Sequence, residues 1–194
     1  MNYDDKCQLL IIGDSMVGKT SILSKYSSKN FNENYLATVG LDFFTKDEMI
    51  EGKIIRVKIW DTAGQERYKA LTKCFFQKAQ GVVIVFDVTS QKSFQDLKFW
   101  IDSINIHLYE DNGIPVIIVG NKIDLKKRVV TKDEAENFAS EHKFQYYETS
   151  AKTGEGVDFA IKEIVKKVMN SGGKKNGKDN LRISTSGKKS GKCC

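Results

Sequence analysis

The stretch Gly13-Asp14-Ser15-Met16-Val17-Gly18-Lys19-Thr20 follows the apolar run Leu9-Leu10-Ile11-Ile12 and precedes a helical pattern that begins near Lys19. Strand, glycine loop, helix is the context a phosphate-binding loop requires. Gly13 and Gly18 permit a tight turn with several backbone N–H groups pointing inward. The following helix N-terminus adds the positive end of its dipole, and together they form an anion cradle. Lys19 can reach the outer phosphates as a point charge, and the Thr20 hydroxyl is placed to ligate Mg²⁺. The nucleotide-binding candidates of this segment are Asp14, Ser15, Met16, Val17, Gly18, Lys19, Thr20 and Ser21.

Working outward, residues 20 to 28 read as a helix with Ile22, Leu23 and Tyr26 on one side. Strand-like runs at 41–50 and 53–60 are joined by the hairpin signal Glu51-Gly52. In the second run Ile55, Val57 and Ile59 alternate with Arg56, Lys58 and Trp60, which places Trp60 on the charged face. A helical pattern over 68–78 is followed by the unbroken apolar run Val82 to Phe86, ending at Asp87. Continuous apolar runs mark strands covered on both faces, and Val116 to Val119 is a second one. Helices are expected over 91–109, over 131–141 with Thr131 and Glu134 as a capping box, and over 157–169. The last has an apolar stripe of Phe159, Ile161, Ile164, Val165 and Val168, and 145–147 forms a short strand before it. This alternation predicts an α/β fold: a six-stranded, mostly parallel sheet with one antiparallel edge strand and helices on both faces.

With 40% hydrophobic and 29% charged residues, the 194-residue chain has the composition of one globular domain plus an appendage. No apolar run is long enough to span a bilayer, and the N-terminus has no secretory pattern, so a cytosolic setting is expected. The net charge of +6 resides in residues 171–194, where seven Lys or Arg face Asp179 alone, while residues 1–170 are balanced. Nucleic-acid binding through a basic globular face is therefore not expected. Cys7 and Cys74 sit among apolar residues and read as small buried hydrophobes. His107 and His142 read as surface helix residues, and Lys126, Lys127 and Arg128 as a solvated loop.

Ligands of such sheets bind beyond the carboxyl ends of the strands. After the strand ending at Trp60 comes Asp61-Thr62-Ala63-Gly64-Gln65-Glu66, with a carboxylate suited to Mg²⁺ and a glycine N–H suited to a terminal phosphate. After the strand ending at Gly120 comes Asn121-Lys122-Ile123-Asp124, where a carboxylate can accept two N–H groups from a guanine edge. Glu148-Thr149-Ser150-Ala151-Lys152 offers backbone N–H groups to a guanine carbonyl, and Phe31 could cover the base.

Over residues 7 to 169 these motifs, in this order, resemble the small GTPases of the Ras superfamily, with the P-loop NTPase fold. Thr38-Val-Gly-Leu-Asp-Phe43, Lys58 to Tyr68 and the Cys-Cys terminus are similar to the Rab family. The resemblance implies that Thr38 joins Thr20 and Asp61 at Mg²⁺ when the terminal phosphate is present. Gly64 would be the amide of the second switch, and Gln65 the residue that orients the attacking water. Asn121, Lys122 and Asp124 would select guanine, helped by Ser150, Ala151 and Lys152. Phe43, Trp60 and Phe75 would meet effectors, and Met16 stands where most relatives have glycine.

The same resemblance implies a GTP-binding domain over 1–170 and a flexible polybasic tail over 171–194. Geranylgeranyl chains on Cys193 and Cys194 would anchor that tail to the cytosolic face of intracellular or plasma membranes. The implied protein is a GTP/GDP switch that hydrolyses GTP slowly, recruits effectors in vesicle trafficking and acts as a monomer. An exchange factor, a GTPase-activating protein, a prenylation escort and a GDP-dissociation inhibitor would be its partners. A phosphate-loop kinase and a GTPase outside the Rab family are the alternatives, and the Asn-Lys-Ile-Asp motif argues against the first.

Overall fold

The computed structural model describes residues 3–28, 42–61, 76, 78–108 and 113–171. In chain order the elements are β1 (Asp5–Ile12), α1 (Lys19–Ser28), β2 (Asp42–Ile50), β3 (Lys53–Asp61), β4 (Gly81–Asp87), α2 (Gln91–Gln95), α3 (Leu97–Leu108), β5 (Val116–Asn121), α4 (Lys132–Glu141), β6 (Gln145–Thr149) and α5 (Val157–Asn170). The strands form one sheet in the order β2-β3-β1-β4-β5-β6. Among the described residues only β2 and β3 pair antiparallel, with Ile50 opposite Lys53. Glu51 (φ 48°) and Gly52 (φ 80°) turn that hairpin. Positive φ at both central residues matches the right-handed twist of the flanking strands.

Period-two alternation in β1, β4 and β5 divides the core into two layers. Leu9, Ile11, Val83, Val85, Ile117 and Val119 pack with Ile22, Leu23 and Tyr26 of α1 and with Ile161, Ile164, Val165 and Val168 of α5. Their neighbours Leu10, Ile12, Val82, Ile84, Phe86 and Ile118 point the other way, onto Phe94, Leu97, Trp100, Ile101 and Ile104 and onto Ala135 and Ala139 of α4. Burial of these side chains, each worth roughly 1.5–3 kcal/mol, is the dominant favourable contribution to the fold. Cys7 lies in the first layer, where burial pushes its thiol up to about 12. Among the described residues no helix is long and apolar enough to cross a membrane.

The sheet and its order of elements agree with the sequence reading, with five local differences. The helix expected over 91–109 is two helices, because the chain caps at Asp96, whose N–H bonds to the carbonyls of Lys92 and Phe94. The strand expected to end at Tyr147 continues through Glu148 and Thr149, which pair in register with Gly120 and Asn121. Phe159 is not part of the α5 stripe: it is 60% exposed, against the Tyr147 ring. At about 100° per residue it lies roughly 160° from Ile161, so Val157 and Ala160 complete the stripe instead. The capping box at α4 is half made: Thr131 Oγ1 accepts from Glu134 N at 3.2 Å, whereas the Glu134 carboxylate meets Gln91 Nε2 at 3.4 Å. Arg128 is not merely solvated, since its guanidinium pairs with Glu148 at 2.5 Å. Of the helix expected over 68–78, only Phe76 and Lys78 are described, and Cys74 lies outside.

The chain runs from β1 to its neighbour β3 on one side and returns to β4 on the other, so β1 is where the strand order reverses. Gly13, Asp61, Asp87, Asn121 and Thr149 end or follow five parallel strands and meet along one edge of the sheet.

Candidate functional site

Two glycines make the loop after β1 possible. Gly13 (φ 138°) passes so close to β4 that a Cβ there would lie 2.1 Å from the Val85 carbonyl oxygen. Gly18 (φ 96°) lies under Asn121, whose Nδ2 would be 2.4 Å from a Cβ. A third left-handed residue stands between them, Met16 (φ 66°), with its side chain 67% exposed. That conformation costs a residue bearing a Cβ roughly 1–2 kcal/mol. Lys19, only 5% exposed, folds back so that Nζ donates to the carbonyls of Gly13 at 2.6 Å and Asp14 at 2.5 Å. The cation is thus held inside the loop by the backbone that would surround a phosphate. Beside it the Thr20 hydroxyl donates to Asp61 Oδ2 at 2.6 Å, joining the start of α1 to the end of β3. A hydroxyl and a fully buried carboxylate are hard oxygen donors, so these two residues fit Mg²⁺.

The loops after β5 and β6 are built around one side chain. Asn121, 1% exposed, donates from Nδ2 to the Val17 carbonyl at 2.9 Å and accepts at Oδ1 from Thr149 Oγ1 and Ala151 N, both at 3.1 Å. It therefore ties the phosphate loop to β6 and to the segment after it. Lys122 (φ 70°) reaches sideways to Asp87 Oδ2 at 2.7 Å. Asp124 is exposed, and its Oδ1 accepts from the buried Ser150 hydroxyl at 2.5 Å, an oxygen that also receives Thr153 N at 3.1 Å. Ala151 N is engaged by Asn121, and Ser150 N by the Glu155 carbonyl at 2.9 Å, so these amides of the expected carbonyl receptor have protein partners. Lys152 is exposed just beyond them.

The outer side of the phosphate loop is clamped to α3. Trp100 Nε1 donates to Asp14 Oδ1 at 2.8 Å. Burial holds the Asp14 carboxyl above the usual carboxylate range, opposed by that hydrogen bond and reinforced by the neighbouring Asp96. Asp96 is itself held low by Lys92 at 2.6 Å. A cavity of about 620 Å³ opens here between Met16, Asp87, Phe99, Trp100 and Lys122. On β2 and β3, Phe43 and Trp60 are register partners with ring centroids 5.4 Å apart. Lys58 Nζ sits 3.8 Å above the first ring and 4.0 Å above the second. Trp60 does share the face of the cations, as its alternation implies.

Thus Asp14 to Ser21, Asp61, Asn121, Lys122, Asp124 and Ser150 to Lys152 meet at the carboxyl ends of the strands, while Phe43 and Trp60 pair on the hairpin. Phe31, Thr38, Gly64, Gln65, Phe75, Cys193 and Cys194 lie outside the described residues. Two contributors escaped the sequence reading. Asp87, at the end of an apolar run, occupies the kind of position expected to carry site residues. Trp100, 86 positions from Asp14, has no sequence signature beyond being an aromatic on a helix.

Comparison with known proteins agrees with this geometry. Residues 8–170 match the model of the Ras family. The chain is 39% identical over 185 residues to Ras-related protein Rab-13 of Rattus norvegicus, covering 94% of this chain and 90% of that one. It is 39% identical over 196 residues to Ras-related protein Rab-10 of Diplobatis ommata, covering 99% and 97%. To Ras-related protein Rab-18 of Caenorhabditis elegans it is 41% identical over 162 residues, covering 84% and 79%. With its phosphate loop, its buried asparagine keystone and these relatives, the chain belongs to the Ras family and, within it, to the Rab small GTPases.

Proposed function

We propose that this GTPase reads guanine through Asp124, held in place by Ser150, and that Asn121 serves mainly to lock the three loops around the nucleotide. The observation that supports this most directly is the fixed Asp124 carboxylate, whose Oδ1 receives the Ser150 hydroxyl at 2.5 Å at the mouth of the site. A carboxylate presents acceptors only, which suits the ring N–H and exocyclic amine of guanine and leaves adenine mismatched. Lys19 exchanges its carbonyl partners for phosphate oxygens on binding, and the N–H groups of residues 15 to 18 close around them. Thr20 and Asp61, with Thr38, would hold Mg²⁺, which supplies charge neutralisation at the β- and γ-phosphates. Gln65 orients the attacking water, and Thr38 and Gly64 follow the terminal phosphate, so that hydrolysis releases both switch segments.

By this reading the GTP form recruits effectors through Phe43, Trp60 and Phe75 in vesicle trafficking. Cys193 and Cys194 carry the lipid anchor, residues 171–194 act as its linker, and an escort and a dissociation inhibitor handle the lipidated monomer. Intrinsic hydrolysis is slow and a partner accelerates it, because the water-orienting residue alone supplies no transition-state cation. Gln65→Leu tests the mechanism: phosphate release falls at least tenfold with GTP affinity retained, and unchanged turnover would remove Gln65 from the role.

A further inference from the structure

We propose that Asp87 is a positioning residue of the nucleotide site: it holds the Lys122 side chain across the phosphate loop, where the stem walls the space between base and phosphates. The inference rests on the guanine-nucleotide reading above and adds the residue that keeps this wall in place. Asp87 ends β4 opposite Asn121 in the sheet register, so Lys122 leaves β5 one residue beyond it. The aspartate is fixed independently of the lysine. Its Oδ1 accepts from Thr89 N at 2.8 Å and Thr89 Oγ1 at 2.7 Å, and its own N–H donates to the buried Ser93 hydroxyl at 3.1 Å. Oδ2 receives Lys122 Nζ at 2.7 Å.

Lys122 is thereby held at both ends. Its carbonyl accepts from Leu125 N at 3.0 Å, its backbone is left-handed at φ 70°, and its ammonium ends on Asp87. Between those points the stem passes Gly18, where an added Cβ would lie 4.0 Å from Lys122 Cε. The side chain thus bridges the loop assigned to the phosphates and the segment whose Asp124 is assigned to the base, the gap a nucleoside has to span. An untethered four-carbon stem populates many rotamers, and immobilising it on binding costs affinity. The Asp87 pair removes most of that cost in advance. Its two side chains are 31% and 11% exposed, so it is screened less than a pair on the open surface.

The test is a double-mutant cycle on the full chain, read as the chase of radiolabelled GDP by excess unlabelled GDP with Mg²⁺ present. Asp87→Asn keeps an acceptor for Thr89 but loses the charge that holds Lys122, and it releases GDP about fivefold faster than the unaltered chain. Lys122→Met keeps an apolar stem without the ammonium and also releases faster. The double variant releases no faster than Lys122→Met alone, because Asp87 acts through the lysine. Thr89→Val, which removes one of the two donors on Oδ1, carries the same test where Asp87→Asn does not fold: release about twofold faster with Lys122 present, and no change beside Lys122→Met. An Asp87→Asn effect as large beside Lys122→Met as in the unaltered chain would make Asp87 a support of β4 alone and overturns the proposal. Equal release from the unaltered chain and Asp87→Asn overturns it too. Absence of retained GDP in the unaltered chain would overturn the guanine reading together with this inference.

Discussion

The two halves of the nucleotide site are built on opposite plans. On the phosphate side, Lys19 is bonded to loop carbonyls and Thr20 to Asp61, contacts for which phosphate and Mg²⁺ would compete under the proposed function. On the base side, Asn121 has its partners among Val17, Thr149 and Ala151, and Ser150 already fixes Asp124. One half is a set of temporary partners and the other a finished frame. The difference teaches where binding energy would go under the proposed function: a preorganised base side would give selectivity, while a phosphate side that changes partners would report which phosphates are present.

The largest expected effect breaks the frame. Asn121→Ala leaves a buried carbonyl, hydroxyl and amide without their shared partner, which costs roughly 3 kcal/mol or more. The melting temperature then falls by about 6–12 °C even without nucleotide. An unchanged melting temperature with lost guanine affinity would make Asn121 a reader of the base instead. Lys19→Ala acts on the other half. It removes a charge-assisted contact to phosphate, so GDP affinity drops on the order of tenfold to a hundredfold. The melting temperature also falls, by less than for Asn121→Ala, because the buried Gly13 carbonyl loses a donor while the half-buried Asp14 carbonyl can turn to water. Calorimetric titration together with melting separates the two variants.

Smaller changes sharpen the contrast. Ser150→Ala unpins Asp124 and leaves Thr153 N without its acceptor. A hydrogen bond to a carboxylate is worth about 1.5–3 kcal/mol, part of which solvent restores at the exposed Asp124, so guanine affinity falls about tenfold while phosphate recognition, read with inorganic pyrophosphate, is unaffected. The smallest effect is at the clamp. Asp14 has a raised pKa in the folded state, so ionising it costs folding energy, and that cost grows as pH rises through the raised value. Asp14→Asn keeps an acceptor for Trp100 without the charge. Its melting temperature therefore gains on the unaltered protein by at most a few degrees between acid and neutral pH, and a gain that shrinks with rising pH would reverse the assignment.

Much of this was legible because the informative features are local. The phosphate loop, the Glu51-Gly52 hairpin and the two-sided strands each declare themselves within a few residues, through backbone freedom or hydrophobic period. Asp61 and the Asn121 to Asp124 segment could be placed at the strand ends for the same reason. What stayed hidden depends on distance or on direction. The Trp100 clamp spans 86 positions, and no local pattern encodes an indole N–H aimed at a carboxylate. The break at Asp96 arises from a cap inside an otherwise helical run. The engagement of Asn121 with Val17 required the sheet order before it could be seen, since β1 and β5 are not neighbours. Phe159 shows the converse error, an apolar residue of suitable type on the wrong side of its helix.

The most direct test of the account is a paired titration of GDP and ADP, with Mg²⁺, against the unaltered chain and Asp124→Ala. The unaltered protein should prefer GDP on the order of a thousandfold or more, because a mismatched base leaves the Asp124 carboxylate without its N–H partners. The variant should lose most of that preference, to within about tenfold, with its melting temperature nearly unchanged because Asp124 is exposed. A variant that still rejected ADP as strongly as the unaltered protein would contradict the assignment of base reading to Asp124, and with it the division of the site into a finished frame and a rearranging cradle.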